Sequence, residues 1–227
     1  MKCMRQHVTG FSATSMCPGR RHGLWLAIAV LLALSAPISM PSRVCSAVTR
    51  SGALPFEAEL APSTFLVASR RLRDPNFAST VILLVTYDES GAKGLIINHP
   101  SPFQLSNVLP DLPPSKAPSP PVYLGGPVGQ TQLRLLVQTD KPSEAMQQVL
   151  DDVYLSGSAD DLQQILTQPA ARFRIFAGYA SWAPGQLESE IAQGAWHIFH
   201  ADVDTIFEAS PDSLWPKLIR QRDLQRM

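Results

Sequence analysis

The sequence predicts an α+β fold, in which strands and single helices share one domain. The first observation is the composition: of the 227 residues, 45% are hydrophobic and 17% are charged, which is typical of a globular protein. The second is a series of short runs rich in β-branched residues from about residue 60 onward. The third is that helical segments fall singly between these runs, without the strict alternation of a doubly wound sheet.

Two β-branched runs open the predicted domain, TFLVAS at 64–69 and STVILLVTY at 79–87. The sequence Asp-Pro-Asn at 74–76 lies between them and is typical of a turn. Residues 89–91 then predict the turn of a β-hairpin that leads into the strand GLIINHP at 94–100. The final proline of that run ends the strand, because proline donates no ladder hydrogen bond.

The central region alternates short elements with a proline-rich loop. Residues 102–109 space their apolar side chains as a short helix does. Residues 110–121 contain six prolines and predict a stiff exposed loop. Extended runs follow at 122–128 and 132–139.

The C-terminal half mixes strands with capped helices. Further strands are predicted at 153–157, 172–180 and 196–201. Ser158 predicts the N-cap of a helix over 159–168, which Pro169 ends. The tail at 212–222 is amphipathic and is predicted to be helical.

Residues 1–47 form a predicted export leader. Four basic residues precede LWLAIAVLLAL at 24–34, and small residues follow, which is the order of a secretory signal. The apolar run is shorter than the ~20 residues that span a bilayer, so membrane contact is expected only through an uncleaved leader. We expect an exported protein with a linker at 48–60 and a single domain at 61–227. The alternative is a cytoplasmic protein that starts at Met40.

Cysteine usage and charge argue against several classes of function. All three cysteines lie in the leader, so a processed chain would contain no disulfide and no thiolate nucleophile. The leader also carries five basic residues and no acidic one, which leaves 14 basic and 19 acidic residues for 48–227, a formal charge of −5. Nucleic acid is therefore a poor candidate partner, because affinity for its backbone comes from clustered Lys and Arg.

The stretch GYASWAPGQLESEIAQGAW at 178–196 predicts a short helix and not a catalytic centre. Pro184 suits the first turn of this helix and Gly194 suits its C-terminal end. Glu188 and Glu190 are two residues apart, about 200° around the axis, so they cannot converge on one substrate atom. We expect these carboxylates to satisfy backbone N–H groups near the helix start.

The remaining candidate residues lack a partner set. His197 and His200 lie three apart in a predicted strand, so they point to opposite faces and do not form a metal-binding pair. Gly125-Gly126-Pro127 follows a strand without the phosphate-binding pattern, which predicts a tight turn or a close backbone approach. His99 is interpreted as a turn residue, with a lone site residue as the alternative. The predicted sets of catalytic, cofactor-binding and metal-binding residues are therefore empty.

Four segments resemble the AlgH/YqgE family of small bacterial proteins: FLVASRRLRDPNF at 65–77, GAKGLIINHP at 91–100, YLGGPV at 123–128 and the stretch at 178–196. Their order and spacing cover nearly the whole predicted domain. The resemblance implies an α+β fold built on a mixed, largely closed, barrel-like β-sheet with a few helices packed outside. It also brings a label of transcriptional regulator, from an association with alginate control, but no catalytic residue and no cofactor.

The family signature outlines a candidate binding surface. This surface comprises Asp74, Asn98, Gly125, Gly126, Trp182, Gln186, Glu188 and Glu190. The chain departs from the family near Tyr87 and near Gln138, where members often carry a His, and this departure argues against a His-based activity. It departs again at position 197, where His stands in place of an apolar residue.

Three functions compete at this stage. The first, which we favour, is a non-catalytic binding or regulatory module that presents the Gly125–Val128 and Trp182–Glu190 surfaces to an unidentified protein partner. The second is a hydrolase-type enzyme that uses His99 with Asp74 or Glu188, since these residues lie in signature segments. The third is a transcriptional regulator, which follows the family label and which the acidic body and the leader oppose.

Overall fold

A computed structural model describes residues 59–110, 118–168 and 170–225. The predicted leader at 1–47 lies outside these residues, as does nearly all of the predicted linker. Pro169, which was expected to end a helix, also lies outside them. The predictions for these positions stay predictions.

Ten strands and five helices make up the described structure. The strands are β1 (Thr64–Ala68), β2 (Val81–Asp88), β3 (Gly91–Ile96), β4 (Pro100–Gln104), β5 (Pro121–Leu124), β6 (Val128–Gln138), β7 (Gln147–Leu150), β8 (Val153–Ser156), β9 (Arg172–Trp182) and β10 (Trp196–His200). The helices are α1 (Leu105–Val108), α2 (Ala159–Leu166), α3 (Gln186–Ala192), α4 (Val203–Phe207) and α5 (Pro211–Gln225). The α+β class is confirmed.

The sheet is mixed but open. Its hydrogen-bonded order is β10-β1-β2-β3-β9-β6-β8-β7, and β5 joins β9 in the one parallel pairing among the described strands. The expectation of a largely closed sheet is wrong, because the path ends at β7 without pairing back to β10. Instead β7 approaches β2 through a side chain, with Gln147 Nε2 donating to the Val85 carbonyl at 3.2 Å. Since β2 already pairs with β1 and β3, no ladder can form there.

The first two strands are buried on both faces, which explains their continuous apolar sequences. On one face, Phe65 and Leu83 belong to a core cluster that side chains of α5 complete. On the other face, Leu66 and Ile82 belong to a cluster that α3 completes. These alternate residues point in opposite directions, as the period of a strand requires. The helices therefore lie against both faces of this part of the sheet.

The predicted hairpin and the predicted cap of α2 are confirmed. Strands β2 and β3 pair antiparallel up to Asp88 and Gly91, which leaves two residues for the turn. The Ser158 hydroxyl accepts hydrogen bonds from the backbone N–H groups of Asp160 and Asp161 at the start of α2.

The helix predicted at 102–109 is largely wrong. The region forms the edge strand β4 followed by the single turn α1. Two prolines of β4 have no N–H to donate, and an edge strand accepts such residues. The side chain of Phe103, expected on a buried face, is 58% exposed. Strand β7 and helix α4 were not predicted. The sequence QQVL of β7 is too short to show a pattern, and VDTIF of α4 consists mostly of residues that favour a strand.

Within the described residues, the helices are all too short or too polar to cross a membrane.

Candidate functional site

The signature helix α3 is set by glycines at its two ends. Gly185 adopts a left-handed conformation (φ +75°) as the N-cap, so the helix begins at Gln186 and the predicted start at Pro184 is wrong. At the other end Gly194 has φ +77°. The N–H of Gly194 donates to the Ile191 carbonyl and that of Ala195 to the Glu190 carbonyl, each at 2.9 Å. This is the Schellman pattern that the sequence predicted from Gly194.

Glu190 binds two buried tryptophans through one carboxylate oxygen. Its Oε2 accepts hydrogen bonds from Trp182 Nε1 at 3.0 Å and from Trp196 Nε1 at 2.8 Å. Its Oε1 accepts from Gln186 Nε2 at 2.9 Å. Both indole rings are almost fully buried, and Phe77 packs against each of them. Trp182, Trp196, Glu190, Gln186 and Phe77 form what we call the indole cluster.

The other glutamate of α3 binds elsewhere. Glu188 Oε1 accepts a hydrogen bond from the Tyr87 hydroxyl at 2.6 Å. This bond lowers the pKa of Glu188 and raises the pKa of Tyr87, because it stabilises the carboxylate and the protonated phenol. The prediction that Glu188 and Glu190 do not converge is confirmed. The prediction that they satisfy backbone N–H groups is confirmed for Glu188, whose carboxylate also accepts from its own backbone N–H. It is wrong for Glu190, which accepts hydrogen bonds from other side chains.

Gly125 and Gly126 lie where two backbones come too close for any side chain. A Cβ on Gly126 would be 2.2 Å from the Tyr179 carbonyl carbon, and a Cβ on Gly125 would be 2.3 Å from the Gly178 oxygen. Gly126 also has φ +153°. The predicted close backbone approach is therefore present, where the end of β5 lies along β9. These glycines are part of the scaffold.

Asn98 and Asp74 hold turns. Asn98 is buried, and its Oδ1 accepts from the Val81 N–H at 2.8 Å while its Nδ2 donates to the Ser79 carbonyl at 3.0 Å. The Asp74 carboxylate accepts from the N–H of Asn76 at 2.8 Å, within its own turn. Both side chains are thus used in local backbone hydrogen bonds.

The structure does not bring His99 together with either proposed carboxylate. His99 is half-buried, and burial lowers its pKa. It follows Asn98, which contacts Val81 at the start of β2, whereas Glu188 contacts Tyr87 near the end of β2. Six residues of strand separate those two points, roughly 20 Å. In the described part of the chain, no hydrogen bond joins His99 to Asp74.

The described residues hold no group of three or more His, Cys, Asp or Glu side chains that could bind a metal ion. His197 and His200 both lie in β10, where they pair with Val67 and Thr64 of β1. Their extended backbone matches the sequence-based argument that they point to opposite faces.

Exposed apolar side chains flank the close-packed glycines. Leu124 is 41% exposed and Val128 is 39% exposed. On the neighbouring edge, Phe103 of β4 and Val108 of α1 are also exposed, and β4 pairs with β5. We call these four residues the apolar edge. Sequence reasoning included Val128 in a candidate partner surface but missed the other three, because apolar residues were assigned to the core by their periodicity.

Comparison with known proteins identifies relatives over most of the described residues. A model of the AlgH-like family matches residues 65–226. The UPF0301 protein of Myxococcus xanthus is 38% identical over 166 residues, which cover 71% of this chain and 90% of the relative. The UPF0301 protein SCO2948 of Streptomyces coelicolor is 32% identical over 162 residues, or 69% of this chain and 84% of the relative.

Two solved structures have a similar fold. The solution structure of the AlgH protein from Pseudomonas aeruginosa gives a TM-score of 0.62 at 34% identity, and it covers 73% of this chain and 92% of that protein. The crystal structure of protein DIP2367 from Corynebacterium diphtheriae gives a TM-score of 0.62 at 26% identity, with 73% and 88% covered.

Proposed function

The chain belongs to the AlgH-like family, and from this premise we propose that it is a non-catalytic binding module whose apolar edge contacts a protein partner. The observation that carries the proposal is the exposure of Leu124 and Val128 on the two sides of the Gly125-Gly126-Pro127 segment. Their backbone is held against β9, so little conformational entropy is lost when a partner binds.

The hydrogen bonds of the signature residues support a scaffold role for them. Glu190 is occupied by Trp182 and Trp196, Glu188 by Tyr87, and Asn98 by the backbone. A catalytic acid or base must reach a substrate proton within hydrogen-bond distance. These groups are already engaged within the chain, and they are separated from one another.

The apolar edge has the chemistry of a protein contact. Large apolar side chains exposed next to one another mark contact surfaces more often than scattered ones do. Proline is frequent around them, at positions 100, 102 and 121, which keeps the edge strand from pairing indiscriminately with other chains. A partner that buries these side chains would gain affinity from apolar area.

Partner capture with a matched control tests this proposal. The double variant Leu124→Ser and Val128→Ser should lose most of the protein captured by the wild-type chain from an extract of its host. The control is Leu224→Ser, which removes an apolar side chain that is 72% exposed on α5, and it should retain capture. Equal capture by all three proteins would contradict the proposal. Trp182→Ala is unsuitable here, because Trp182 is buried and its loss would disturb the fold.

We propose further that the binding module acts outside the cytoplasm. The basic, apolar and small-residue order of positions 1–47 supports export, and the acidic remainder argues against direct contact with DNA. Mass spectrometry of the N-terminus of the protein from its host tests this. A mature start near Ala47 is expected, whereas a start at Met40 would contradict export.

A further inference from the structure

A cavity lies beside the C-terminal end of α3, and Trp196 of the indole cluster contributes to its wall. Its volume is about 570 Å³, within the range of small-molecule sites. Three segments line it: residues 69–71 after β1, residues 196–198 of β10, and the last turns of α5, with the end of α3 closing one side. We call it the arginine cavity.

The cavity is positively charged although the domain is acidic. Arg70, Arg71 and Arg222 line it against a single carboxylate, Asp223, which leaves a formal charge of +2 before His197 is counted. Asp223 pairs with Arg70 at 3.1 Å and lies 3.6 Å from Arg222. Arg71 makes no ion pair with any described residue. Guanidinium groups grouped in this way are suited to carboxylate and phosphate oxygens.

A buried hydroxyl in the cavity wall has no partner within the chain. Ser69 is only 5% exposed, it lines the cavity, and its Oγ makes no hydrogen bond. A buried polar atom without a partner is uncommon, because its desolvation is not offset. This oxygen is almost completely shielded from solvent, so a ligand in the cavity would reach it only after the Ser69 side chain changes rotamer.

Another part of the cavity wall is apolar. Ile191 of α3, Ile198 of β10 and Ile219 of α5 line it, together with the ring of Trp196. A small inorganic anion would leave this wall without contacts. A ligand that also carries a hydrocarbon portion would cover it.

We propose that the arginine cavity binds a small organic anion, whose carboxylate or phosphate group meets Arg71 and Arg222 and whose apolar portion packs on the isoleucine wall. The site does not depend on the apolar edge, which lies among other elements of the fold. His197, at which the chain departs from the family, lines the cavity. The ligand specificity of the cavity can therefore differ from that of relatives.

Calorimetric titration of the full chain tests the assignment with three probes: octyl phosphate, inorganic phosphate and octyltrimethylammonium. Octyl phosphate should bind in a saturable 1:1 manner, at least about tenfold more tightly than either of the others, since only it offers both portions. Octanoate distinguishes a carboxylate from a phosphate preference at the same site. Absence of saturable binding by both octyl anions, or equal binding of octyltrimethylammonium, would overturn the proposal.

Substitutions locate the binding. Arg71→Gln and Arg222→Gln should each weaken octyl phosphate binding by about tenfold or more. The matched control is Arg220→Gln, an exposed position of the same helix that does not line the cavity, and it should change affinity by less than about twofold. If the Arg222→Gln variant does not fold, the octyl phosphate affinity of the Arg71→Gln variant alone tests the proposal. Equal weakening by Arg220→Gln and Arg71→Gln would show general charge attraction and would refute the site.

Discussion

The indole cluster and the arginine cavity differ in how their polar groups are used. On the indole cluster side, one carboxylate satisfies two buried indoles and an amide, and every polar atom has a partner within the chain. On the arginine cavity side, guanidinium groups line an open space and the Ser69 hydroxyl has no partner. Trp196 belongs to both, because its N–H binds Glu190 while its ring lines the cavity.

This difference separates residues that serve the scaffold from residues that line a cavity. The indole cluster lies in segments that resemble the family, and its polar side chains are engaged within the chain. Residues 69–71 of the cavity also lie in such a segment, whereas His197 and Arg222 lie outside the four segments. The family signature of this chain therefore contains both scaffold residues and residues that line the cavity.

The largest expected effect tests the scaffold role of the signature glycines. Gly126→Ala places a Cβ 2.2 Å from the backbone of Tyr179 at φ +153°, so we expect a loss of about 4 kcal/mol or more, or failure to fold. Gly194→Ala is the control: its φ is +77° but nothing lies within 4 Å, and a loss of about 1–2 kcal/mol is expected. Urea unfolding measures both. Similar losses would show that the close approach of β5 and β9 is not required.

The second effect concerns the indole cluster itself. Glu190→Ala leaves two buried indole N–H groups without an acceptor, and a loss of about 2–4 kcal/mol of unfolding free energy is expected. Glu190→Gln retains one acceptor oxygen and should lose less. Urea unfolding of Glu188→Ala, which removes an exposed glutamate of the same helix, provides the comparison and should show the smallest change. A loss for Glu188→Ala as large as that for Glu190→Ala would contradict the account.

The third effect concerns the Ser69 hydroxyl on the cavity side, whose removal should not lower the free energy of unfolding. Ser69→Ala removes a buried hydroxyl that has no partner, so stability should change by less than about 0.5 kcal/mol or should rise. Ser156→Ala removes a buried hydroxyl that binds Asp161, and it should cost about 1–2 kcal/mol. Thermal or urea unfolding of the ligand-free proteins distinguishes the two. A clear loss in Ser69→Ala would show that its hydroxyl is satisfied within the fold.

The smallest effect is the pH dependence of the Tyr87–Glu188 bond. The pKa of Glu188 is lowered from 4.5, so the ionised carboxylate contributes to folding stability above that pH, and this contribution is lost in more acidic solution. The pKa of Tyr87 is raised from 10.0, so the protonated phenol contributes to folding stability below that pH, and this contribution is lost in more alkaline solution. The difference in melting temperature between wild type and Tyr87→Phe should thus be greatest near pH 7. A difference that is constant from pH 3 to pH 11 would contradict this.

Local features of the fold were predicted more successfully than the shape of the sheet. The hairpin at Asp88–Gly91, the Ser158 cap and the Gly194 helix end follow from a few adjacent residues, and all are present. The edge strand β4 was mistaken for a helix because its apolar spacing fits either structure. The closed sheet implied by the family resemblance is not formed. The sequence could not reveal this, because the pattern within a strand does not indicate where a sheet ends.

The candidate surface was predicted as one set of residues, and the structure divides it among several structural tasks. Glu188 and Glu190 were correctly separated by helix geometry alone. The partner of Glu188 could not be predicted, because Tyr87 is 101 residues from it in sequence. The exposure of Leu124 also lay beyond prediction, since an apolar residue in a strand is normally assigned to the core.

The sequence by itself determined the α+β class, the family, the caps and turns, and the divergence of the two glutamates, because each depends on residues within about one helical turn or one hairpin. Tertiary structure alone decided which groups meet: the two indoles on one carboxylate, Tyr87 on Glu188, and the arginines at 70, 71 and 222 around one cavity. Those contacts depend on strand order and register. They place β10 and α5 beside β1, over separations of more than a hundred residues that local patterns do not encode.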